Sequence, residues 1–392
     1  MKDLWFTLEE YEARLRATKE RMAAEGIDVL LLVEPQNMYY LTGYDAYSFY
    51  VPQGVIVALD TNLPIWIGRF MDTPSARRTS YLPDECIVPY PDMYVQAADR
   101  HPMQFVAQFI RDKGWGSKVV GTEMGTHYYN ARSHLELQKA LPQARFKDAE
   151  LLVNWIRIVK SNQEIAYMRE AGKITDRMVA RAREVAAPGV RQSDLAAAIV
   201  QTQLAGTEGF GGLPSSGPPY ICAGNRATEP HASWSDQPLE NNIPINIEMA
   251  GVRHRYHAPI SRTIYLGNPP QAYRDFASQV VEGLNAALAA VKPGVACEEI
   301  EAVWRRTLAR HGLEKEARLG YSVGCAYAPT WGERTASLRK GDRTVLKANM
   351  AFHMMAGIWL EQTGVTITQA FAVTSNGHEP LTTAARQLYT VP

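Results

Sequence analysis

One segment of the sequence, residues 246–259, gathers acidic and basic side chains that could do chemistry. It reads NIEMAGVRHRYHAP and contains Glu248, His254, His257 and two arginines. Alternating apolar residues predict a β-hairpin with Glu248 on its polar face and Gly251 at the turn. His254 and His257 are three residues apart, so they are expected to face opposite sides and not to share one metal ion. The segment is therefore a metal site, a metal-free catalytic pocket or a polar surface hairpin.

Two kinds of sequence pattern predict the elements that position this hairpin. In the first part of the chain, short apolar runs such as GVIVALD and KVVGTEM alternate with helical stretches, which indicates an α/β layer arrangement. Capping boxes are predicted at Thr7–Glu10 and Ser161–Glu164. We predict an α/β domain over residues 1–158 and an α+β domain over residues 159–392.

The second part of the chain contains an internal repeat. A helix ending in Pro188-Gly189-Val190 is followed by another helix and then by β-rich sequence, and the same order recurs around Pro293-Gly294-Val295. Two copies of one motif predict a pseudo-symmetric domain built from two halves. Its site is expected between the strands that follow each helix pair, which includes the segment 246–259.

Composition excludes several function classes. Acidic and basic residues balance at 41 each, so no excess charge favours nucleic acid or an anionic membrane. No apolar run approaches the roughly 18 residues needed to span a bilayer, and the N-terminal sequence does not resemble a signal peptide. The four scattered cysteines favour reduced thiols. We therefore expect a cytoplasmic protein that acts on small molecules, with no nucleic-acid or membrane partner.

Four segments carry a resemblance to a known family. They read GVRHRYHAPISRTIYLG, LGYSVG, KANMAFHMMAGIW and GVTITQAFAVTSNG, and their order matches the creatinase/aminopeptidase P/methionine aminopeptidase family. This resemblance implies a creatinase-like α/β domain at the N-terminus, followed by a pseudo-symmetric catalytic domain of the pita-bread fold.

The resemblance also identifies the positions at which metal-dependent members hold two metal ions with two Asp, one His and two Glu. In this sequence those positions are occupied by Glu248, Pro259, Tyr321, Met355 and Thr368. A pair of ions about 3.5–4 Å apart needs several carboxylates, and only Glu248 supplies one. We therefore expect no metal and no other cofactor. Tyr321, at the histidine position, is expected to donate its hydroxyl proton into the space that the ions fill in relatives.

One position of the catalytic machinery is retained. His231, in ATEPHAS, matches the catalytic histidine of creatinase, a member that works without metal. Two N-terminal segments, NMYYLTGYDAYSFYVPQG and YPDMYVQAADRHPM, resemble the ectoine hydrolases, which form a metal-free branch of the family. This resemblance implies hydrolysis of ectoine to N-acetyl-2,4-diaminobutyrate, with 5-hydroxyectoine as a second candidate substrate. It also implies a homodimer and functional coupling to a deacetylase.

These arguments select a set of candidate site residues. The catalytic candidates are Glu248, His231 and His257, where Glu248 acts as base or nucleophile and His231 moves a proton. The substrate-binding candidates are Tyr321, His353, Trp359, Glu361 and Tyr50.

Alternatives remain open for several of these residues. His257, His353 and Trp359 are equally compatible with structural packing, and Glu361 with an exposed loop. The aromatic run of Tyr44, Tyr47, Phe49 and Tyr50 either belongs to the core or closes the site of a neighbouring subunit. For the whole chain, the alternatives are a creatinase-like hydrolase of another amidine or guanidine zwitterion and a non-catalytic pseudo-peptidase that binds peptide ends.

Overall fold

A computed structural model describes residues 2–48 and 50–392 of the chain, which form two compact units. The first unit ends at Arg157 and the second begins at Ile158. The boundary predicted between residues 158 and 159 lies one residue further along. No helix in the described part of the chain is long and apolar enough to cross a membrane.

The first unit is a six-stranded mixed sheet with helices on both faces. The sheet has the order β4-β3-β2-β1-β5-β6. Its elements in chain order are α1 (Leu8–Ala24), β1 (Val29–Leu32), α2 (Pro35–Thr42), β2 (Gly54–Ala58), β3 (Ile65–Arg69), α3 (Thr73–Thr79), β4 (Ile87–Tyr90), α4 (Pro102–Asp112), β5 (Val119–Thr122), α5 (Ala131–Ala140), β6 (Arg145–Asp148) and α6 (Leu152–Arg157). Two apolar cores form, one between the sheet and α1, α2 and α6, and the other between the sheet and α4 and α5.

The second unit contains four long helices and three sheets. The sheets have the orders β17-β9-β8-β7, β11-β10-β12-β15-β16 and β13-β14. The elements in chain order are α7 (Asn162–Val185), α8 (Gln192–Ala205), β7 (Tyr220–Ala223), β8 (Pro244–Arg253), β9 (Tyr256–Leu266), α9 (Gln271–Ala289), α10 (Cys297–Ala309), β10 (Gly320–Val323), β11 (Gly332–Leu338), β12 (Ala351–Met354), β13 (Gly357–Trp359), β14 (Gly364–Thr366), β15 (Gln369–Val373), β16 (His378–Pro380) and β17 (Tyr389–Val391).

The two Pro-Gly-Val motifs make the same backbone contacts in both halves of this unit. Gly189 and Gly294 have φ angles of 87° and 89°, in the left-handed region that favours glycine. Gly189 N–H donates to Leu239 O over 2.8 Å, and Gly294 N–H donates to Leu346 O over 2.9 Å. The internal repeat read from the sequence therefore reflects one structural motif used twice, a helix pair tied to the segment that follows it.

The two predicted capping boxes differ in the structure. At Ser161 both reciprocal bonds form, because the Ser161 hydroxyl accepts from Glu164 N–H and the Glu164 carboxylate accepts from Ser161 N–H. At Thr7 only the first bond forms, at 3.3 Å from Glu10 N–H. The Glu10 carboxylate accepts instead from the Arg14 guanidinium at 2.6 Å, and this ion pair replaces the second half of the box.

The hairpin β8–β9 turns three residues later than the sequence indicated. His254 and Arg255 occupy the turn with φ angles of 47° and 68°, while Gly251 lies inside β8. The prediction of Gly251 at the turn is therefore wrong. Glycine is needed there because α7 crosses the strand closely: a Cβ on Gly251 would lie 2.3 Å from Ala171 O. The Thr175 hydroxyl of α7 accepts from Gly251 N–H at 2.8 Å.

We predict that Gly251→Ala destabilises the second unit, because the added methyl group meets helix backbone that cannot move away without repacking. The expected loss in the free energy of unfolding is at least about 2 kcal/mol. Gly209→Ala is the matched control, since nothing lies within 4 Å of its added Cβ. Urea denaturation of both variants provides the measurement. Equal stability of the two variants would contradict the close approach of α7 to β8.

Candidate active site

Glu248 lines a cavity of about 160 Å³ in the second unit. Three adjacent strands bring its neighbours together, because Glu248 pairs with Tyr220 of β7 on one side and with Ser261 of β9 on the other. The cavity wall consists of polar and aromatic residues from both halves of the domain: Gly217, Tyr220, His231, Glu248, Arg318, Tyr321, Pro329, Thr330 and Trp331. Glu248, His231 and Tyr321, all selected from the sequence, thus share one cavity.

The Glu248 carboxyl group is buried and unpaired. Only 6% of the residue is exposed, and within the described part of the chain no side chain or backbone group forms a hydrogen bond with it. Burial raises its pKa to about 8, an effect that the positive charge of Lys315 opposes. Desolvation penalises the charged form, so the site favours a cationic ligand that would compensate the carboxylate.

His231 contributes an exposed imidazole to the same cavity. It lies in the loop between β7 and β8, where its ring is perpendicular to the Tyr220 ring at a centroid distance of 5.8 Å. This contact holds the histidine near the strand position opposite Glu248. The arrangement combines a buried acid with an accessible imidazole, two groups that can exchange protons with a bound substrate.

Tyr321 begins a chain of hydrogen bonds at the positions that hold metal ions in relatives. Trp331 Nε1–H donates to the Tyr321 hydroxyl at 2.9 Å, and this hydroxyl lies 3.1 Å from His353 Nδ1. His353 Nε2 lies 2.7 Å from Thr368 Oγ1, which also accepts from Ser261 N–H at 2.6 Å. The Tyr321 hydroxyl thus lies between Trp331 and His353, and its donation into the cavity stays a prediction.

His353 is completely buried within this chain. Burial lowers its pKa to about 3, with a further contribution from the positive charge of Lys315. A neutral imidazole continues the chain, since one of its ring nitrogens donates and the other accepts. His353 therefore holds Tyr321 and Thr368 in place from behind the cavity wall.

The donor set does not fit the two-metal site of the family. Tyr321 and Thr368 are committed to the hydrogen-bond chain, while Pro259 and Met355 offer no hard oxygen ligand in their side chains. No group of three His, Cys, Asp or Glu side chains that could hold a metal ion occurs among the described residues. Glu248 is the one carboxylate at these five positions, and a single carboxylate does not hold two divalent ions.

His257 lies on the same strand face as Ser261 but binds a loop beside the cavity. Its Nε2 accepts from Ser216 N–H at 3.1 Å, and its Nδ1 lies 2.9 Å from Arg255 O. Burial lowers its pKa to about 3, so the imidazole is neutral. Ser216 precedes Gly217 of the cavity wall, and this contact favours a positioning role for His257. Its catalytic role remains a prediction.

Trp359 and Glu361 both belong to the hairpin β13–β14, but only Trp359 lines a cavity. Trp359 lines a second, much smaller cavity that also includes Glu248, whereas Glu361 is an exposed residue of the connecting loop. The side chain of Glu361 is not part of the wall of either cavity. A substrate contact of Trp359 is compatible with this geometry, and one of Glu361 remains an expectation from sequence.

The aromatic run of the first unit divides into buried and exposed residues. Tyr44 is buried and donates its hydroxyl to Gln53 at 2.8 Å, while Tyr47 and Tyr50 are 57% and 64% exposed. The Tyr50 hydroxyl accepts from Arg69 at 2.9 Å. Phe49 lies outside the described residues. The role of Tyr50 in substrate binding remains a prediction.

Sequence reasoning did not select several residues of the site, among them Tyr220 and three that carry charge or an indole ring. Arg318 and Trp331 line the cavity, and Lys315 carries the charge that acts on Glu248. Arg318 precedes β10 by two residues and places its guanidinium 4.4 Å from the Tyr321 ring centroid. The close spacing of Lys315 and Arg318 before the strand that carries Tyr321 was the available signal. No sequence signal indicated Trp331, because it reaches the cavity through the loop between β10 and β11.

Comparison with known proteins supports the same architecture. The model of metallopeptidase family M24 matches residues 166–375, and that of the creatinase/prolidase N-terminal domain matches residues 14–159. A recombinant prolidase from Thermococcus sibiricus has the same fold, with a TM-score of 0.85 and 19% identity over 97% of this chain and 99% of that one. The predicted fold class is confirmed.

Two relatives are similar over nearly their full length. The uncharacterized hydrolase/peptidase y4tM of Sinorhizobium fredii is 58% identical over 99% of both chains. The ectoine hydrolase of Halomonas elongata is 44% identical over 98% of both chains. Both similarities span the two units, so they extend over the whole site described above.

We predict that Tyr321→Phe lowers the free energy of unfolding by about 1–3 kcal/mol, because it leaves the buried Trp331 Nε1 and His353 Nδ1 without their partner. Tyr220→Phe is the control, since the Tyr220 hydroxyl has no hydrogen bond within the described residues and the variant is expected to be near wild type. Urea denaturation distinguishes the two. If Tyr321→Phe left the free energy of unfolding unchanged, the hydrogen-bond chain would contribute no stability.

Proposed function

Because the chain belongs to metallopeptidase family M24 and is a hydrolase with a creatinase/prolidase N-terminal domain, we propose that it opens the ring of ectoine. The proposed product is N-acetyl-2,4-diaminobutyrate, formed without a metal cofactor. The observation that carries this proposal is the buried, unpaired Glu248 carboxylate in a cavity of about 160 Å³. The proposal is supported by the 44% identity to the ectoine hydrolase of Halomonas elongata.

The chemistry of the cavity matches a small zwitterion with an amidinium ring. Glu248 is the negative partner for the delocalised cation, and binding this cation compensates the desolvation of the carboxylate. Arg318 offers a guanidinium for the substrate carboxylate at the same cavity. The rings of Tyr220, Tyr321 and Trp331 form walls against which a planar ring can pack.

The reaction requires water to add to the amidine carbon and one ring C–N bond to break. The new C–O bond becomes the carbonyl of the acetamide, and the released nitrogen takes a proton. Glu248 acts as the base or nucleophile at the carbon, and His231 supplies the proton to the departing nitrogen. Tyr321 forms part of the cavity wall, and its hydrogen bond with His353 holds it in place. 5-Hydroxyectoine is included as a second substrate.

We propose that the enzyme is a cytoplasmic homodimer. In the first unit, Tyr47, Tyr50, Phe70, Met71 and Met93 are exposed apolar residues from neighbouring segments. Arg69 connects two of these segments, since it donates to Tyr50 and forms an ion pair with Asp92 at 2.7 Å. A surface of this kind supports contact with a second protein chain. Functional coupling to a deacetylase follows because the proposed product retains an acetamide.

We expect the purified protein to convert ectoine to an N-acetylated diaminobutyrate in the presence of excess EDTA, because the residues at the family's metal positions do not form a ligand set. Proton NMR of the reaction mixture identifies the product and the acetylated nitrogen. Creatine serves as the control substrate and is expected to remain unchanged. Loss of activity in EDTA with recovery on addition of Mn²⁺ would refute metal independence, and turnover of creatine alone would favour the creatinase-like alternative.

We predict that kcat/KM for ectoine rises with pH and levels off above about 8. Burial raises the pKa of Glu248 to about 8, so this carboxyl group is mostly protonated in the free enzyme at pH 7. The reaction needs the ionised carboxylate. Below that value, kcat/KM should fall about tenfold for each pH unit. Steady-state kinetics from pH 6 to 9.5 measures this profile.

The control variants for this profile are Glu248→Gln and Glu316→Gln. The first should abolish nearly all turnover because the amide is neither a base nor a nucleophile. The second removes an exposed carboxylate near β10 and should retain the wild-type profile. A flat wild-type profile across this range would remove ionisation of Glu248 from the mechanism.

A further inference from the structure

A second, smaller cavity also has Glu248 in its wall. We call it the inner niche; its wall consists of Tyr220, Cys222, Glu229, Pro230, Asn246, Glu248, Ser261, Trp359 and Thr366. Its volume is about 10 Å³, on the scale of a single water molecule. Glu248 and Tyr220 belong to the walls of both cavities. The carboxylate therefore separates a space large enough for a small substrate from a space of about one water molecule.

Most polar groups around the inner niche are already satisfied within the protein. Asn246 Nδ2–H donates to Ala227 O at 2.9 Å, and its Oδ1 accepts from Thr263 at 2.6 Å. The Ser261 hydroxyl contacts Ile247 O at 3.1 Å and the Thr366 hydroxyl at 2.6 Å. These side chains have little remaining need for a ligand.

Besides the Tyr220 hydroxyl, two groups of the niche wall retain unused hydrogen-bonding capacity. Trp359 Nε1–H is a buried donor without a hydrogen-bond partner within the described residues. The carboxylate of Glu248, a residue that is 6% exposed, is an acceptor that likewise lacks a hydrogen bond there. One donor and one acceptor around a water-sized space are complementary to a water molecule, which can accept from the indole and donate to the carboxylate.

The local sequence explains why Trp359 faces this space. In the hairpin β13–β14, Trp359 pairs with Gly364, and a Cβ on Gly364 would lie 3.0 Å from Trp359 Cδ1. A Cβ on Gly357 would lie 2.7 Å from Trp359 Cη2. The two glycines therefore let the indole lie against the hairpin. The Lys315 Nζ lies over the indole ring at 5.0 Å from its centroid.

We propose that the inner niche binds the water molecule consumed in the reaction, held between Trp359 Nε1–H and the Glu248 carboxylate. This inference rests on the proposed hydrolysis for its catalytic part, while the water site itself does not. It makes Trp359 a positioning residue, since the indole acts on the substrate only through the water.

The step that follows from this arrangement is balanced. The water oxygen forms a bond to the amidine carbon while the C=N π bond breaks and its electron pair moves to nitrogen, and one water proton passes to Glu248. The ring C–N bond then breaks, its electron pair goes to the departing nitrogen, and this nitrogen takes the proton from Glu248. The second water proton passes to His231 as the amide carbonyl forms, and His231 gives it to the released amine. Glu248 acts in this step as a general base.

The water site is tested without substrate. In ¹⁵N-labelled protein, the Trp359 indole resonance is assigned by its absence from the spectrum of Trp359→Phe. We expect a cross-relaxation peak between this N–H and a long-lived water molecule, which Glu248→Leu should remove by deleting the acceptor. A Trp359 N–H without a water cross-peak in the folded wild-type protein would overturn the proposal.

The catalytic part is tested by steady-state kinetics with ectoine. Trp359→Phe keeps an aromatic ring but removes the donor, so we expect kcat to fall about 10-fold to 100-fold while KM changes less than threefold. Trp304→Phe is the matched control, because Trp304 is also a buried indole with an unpartnered Nε1, but it lies on α10 and not in either cavity wall. Its kcat is expected to stay within twofold of wild type.

The two tests separate the inference from the proposed function. A wild-type protein that leaves ectoine unchanged refutes the proposed function, and the NMR measurement still decides whether the niche binds water. If ectoine is turned over and Trp359→Phe has a normal kcat, Trp359 does not position the reacting water. A loss of kcat that is equal in Trp304→Phe would also overturn the proposal, since it would reflect lost stability alone.

Discussion

The central physical constraint on this site is the burial of one ionisable carboxyl group. Taking a carboxylate out of water without a partner costs on the order of several kcal/mol, so such a group is retained only where a ligand or a reaction uses it. Glu248 is held in this state by the strands on both sides, which place Tyr220 and Ser261 against it. Lys315 and Arg318 supply positive charge near this cavity. The ligand proposed above carries a cation of its own, which would compensate the buried carboxylate.

The hydrogen-bond chain from Trp331 to Thr368 includes Tyr321 and Thr368, which stand at two of the five positions that the family resemblance assigns to metal ligands. A pair of ions would tie strands from the two halves of the domain to common ligands. Here Tyr321 of β10, His353 of β12 and Ser261 of β9 are tied by hydroxyl and imidazole groups instead. These bonds connect the strands through neutral groups, which is compatible with the proposed binding of a cationic substrate by Glu248.

The pseudo-symmetric framework explains how residues distant in sequence reach one cavity. Each half uses a helix pair and a left-handed glycine to align the strands that follow. The first half contributes Glu248 and His231, and the second half contributes Arg318 and Tyr321. The close contact of α7 with Gly251 and Thr175 fixes the position of the hairpin that carries Glu248. The packing of α7 against this strand therefore helps to position Glu248.

The sequence by itself determined the fold class, the repeat and the selection of Glu248, His231 and Tyr321, because strand alternation, Pro-Gly-Val motifs and family positions are local patterns. It did not determine the turn of the hairpin, since the need for glycine at Gly251 arises from a helix about 80 residues earlier in the chain. It also did not indicate that His257 binds Ser216, or that Trp359 and Glu248 share a water-sized niche. Only the tertiary structure decided these points, because hydrogen-bond partners and cavity volume depend on which distant segments meet.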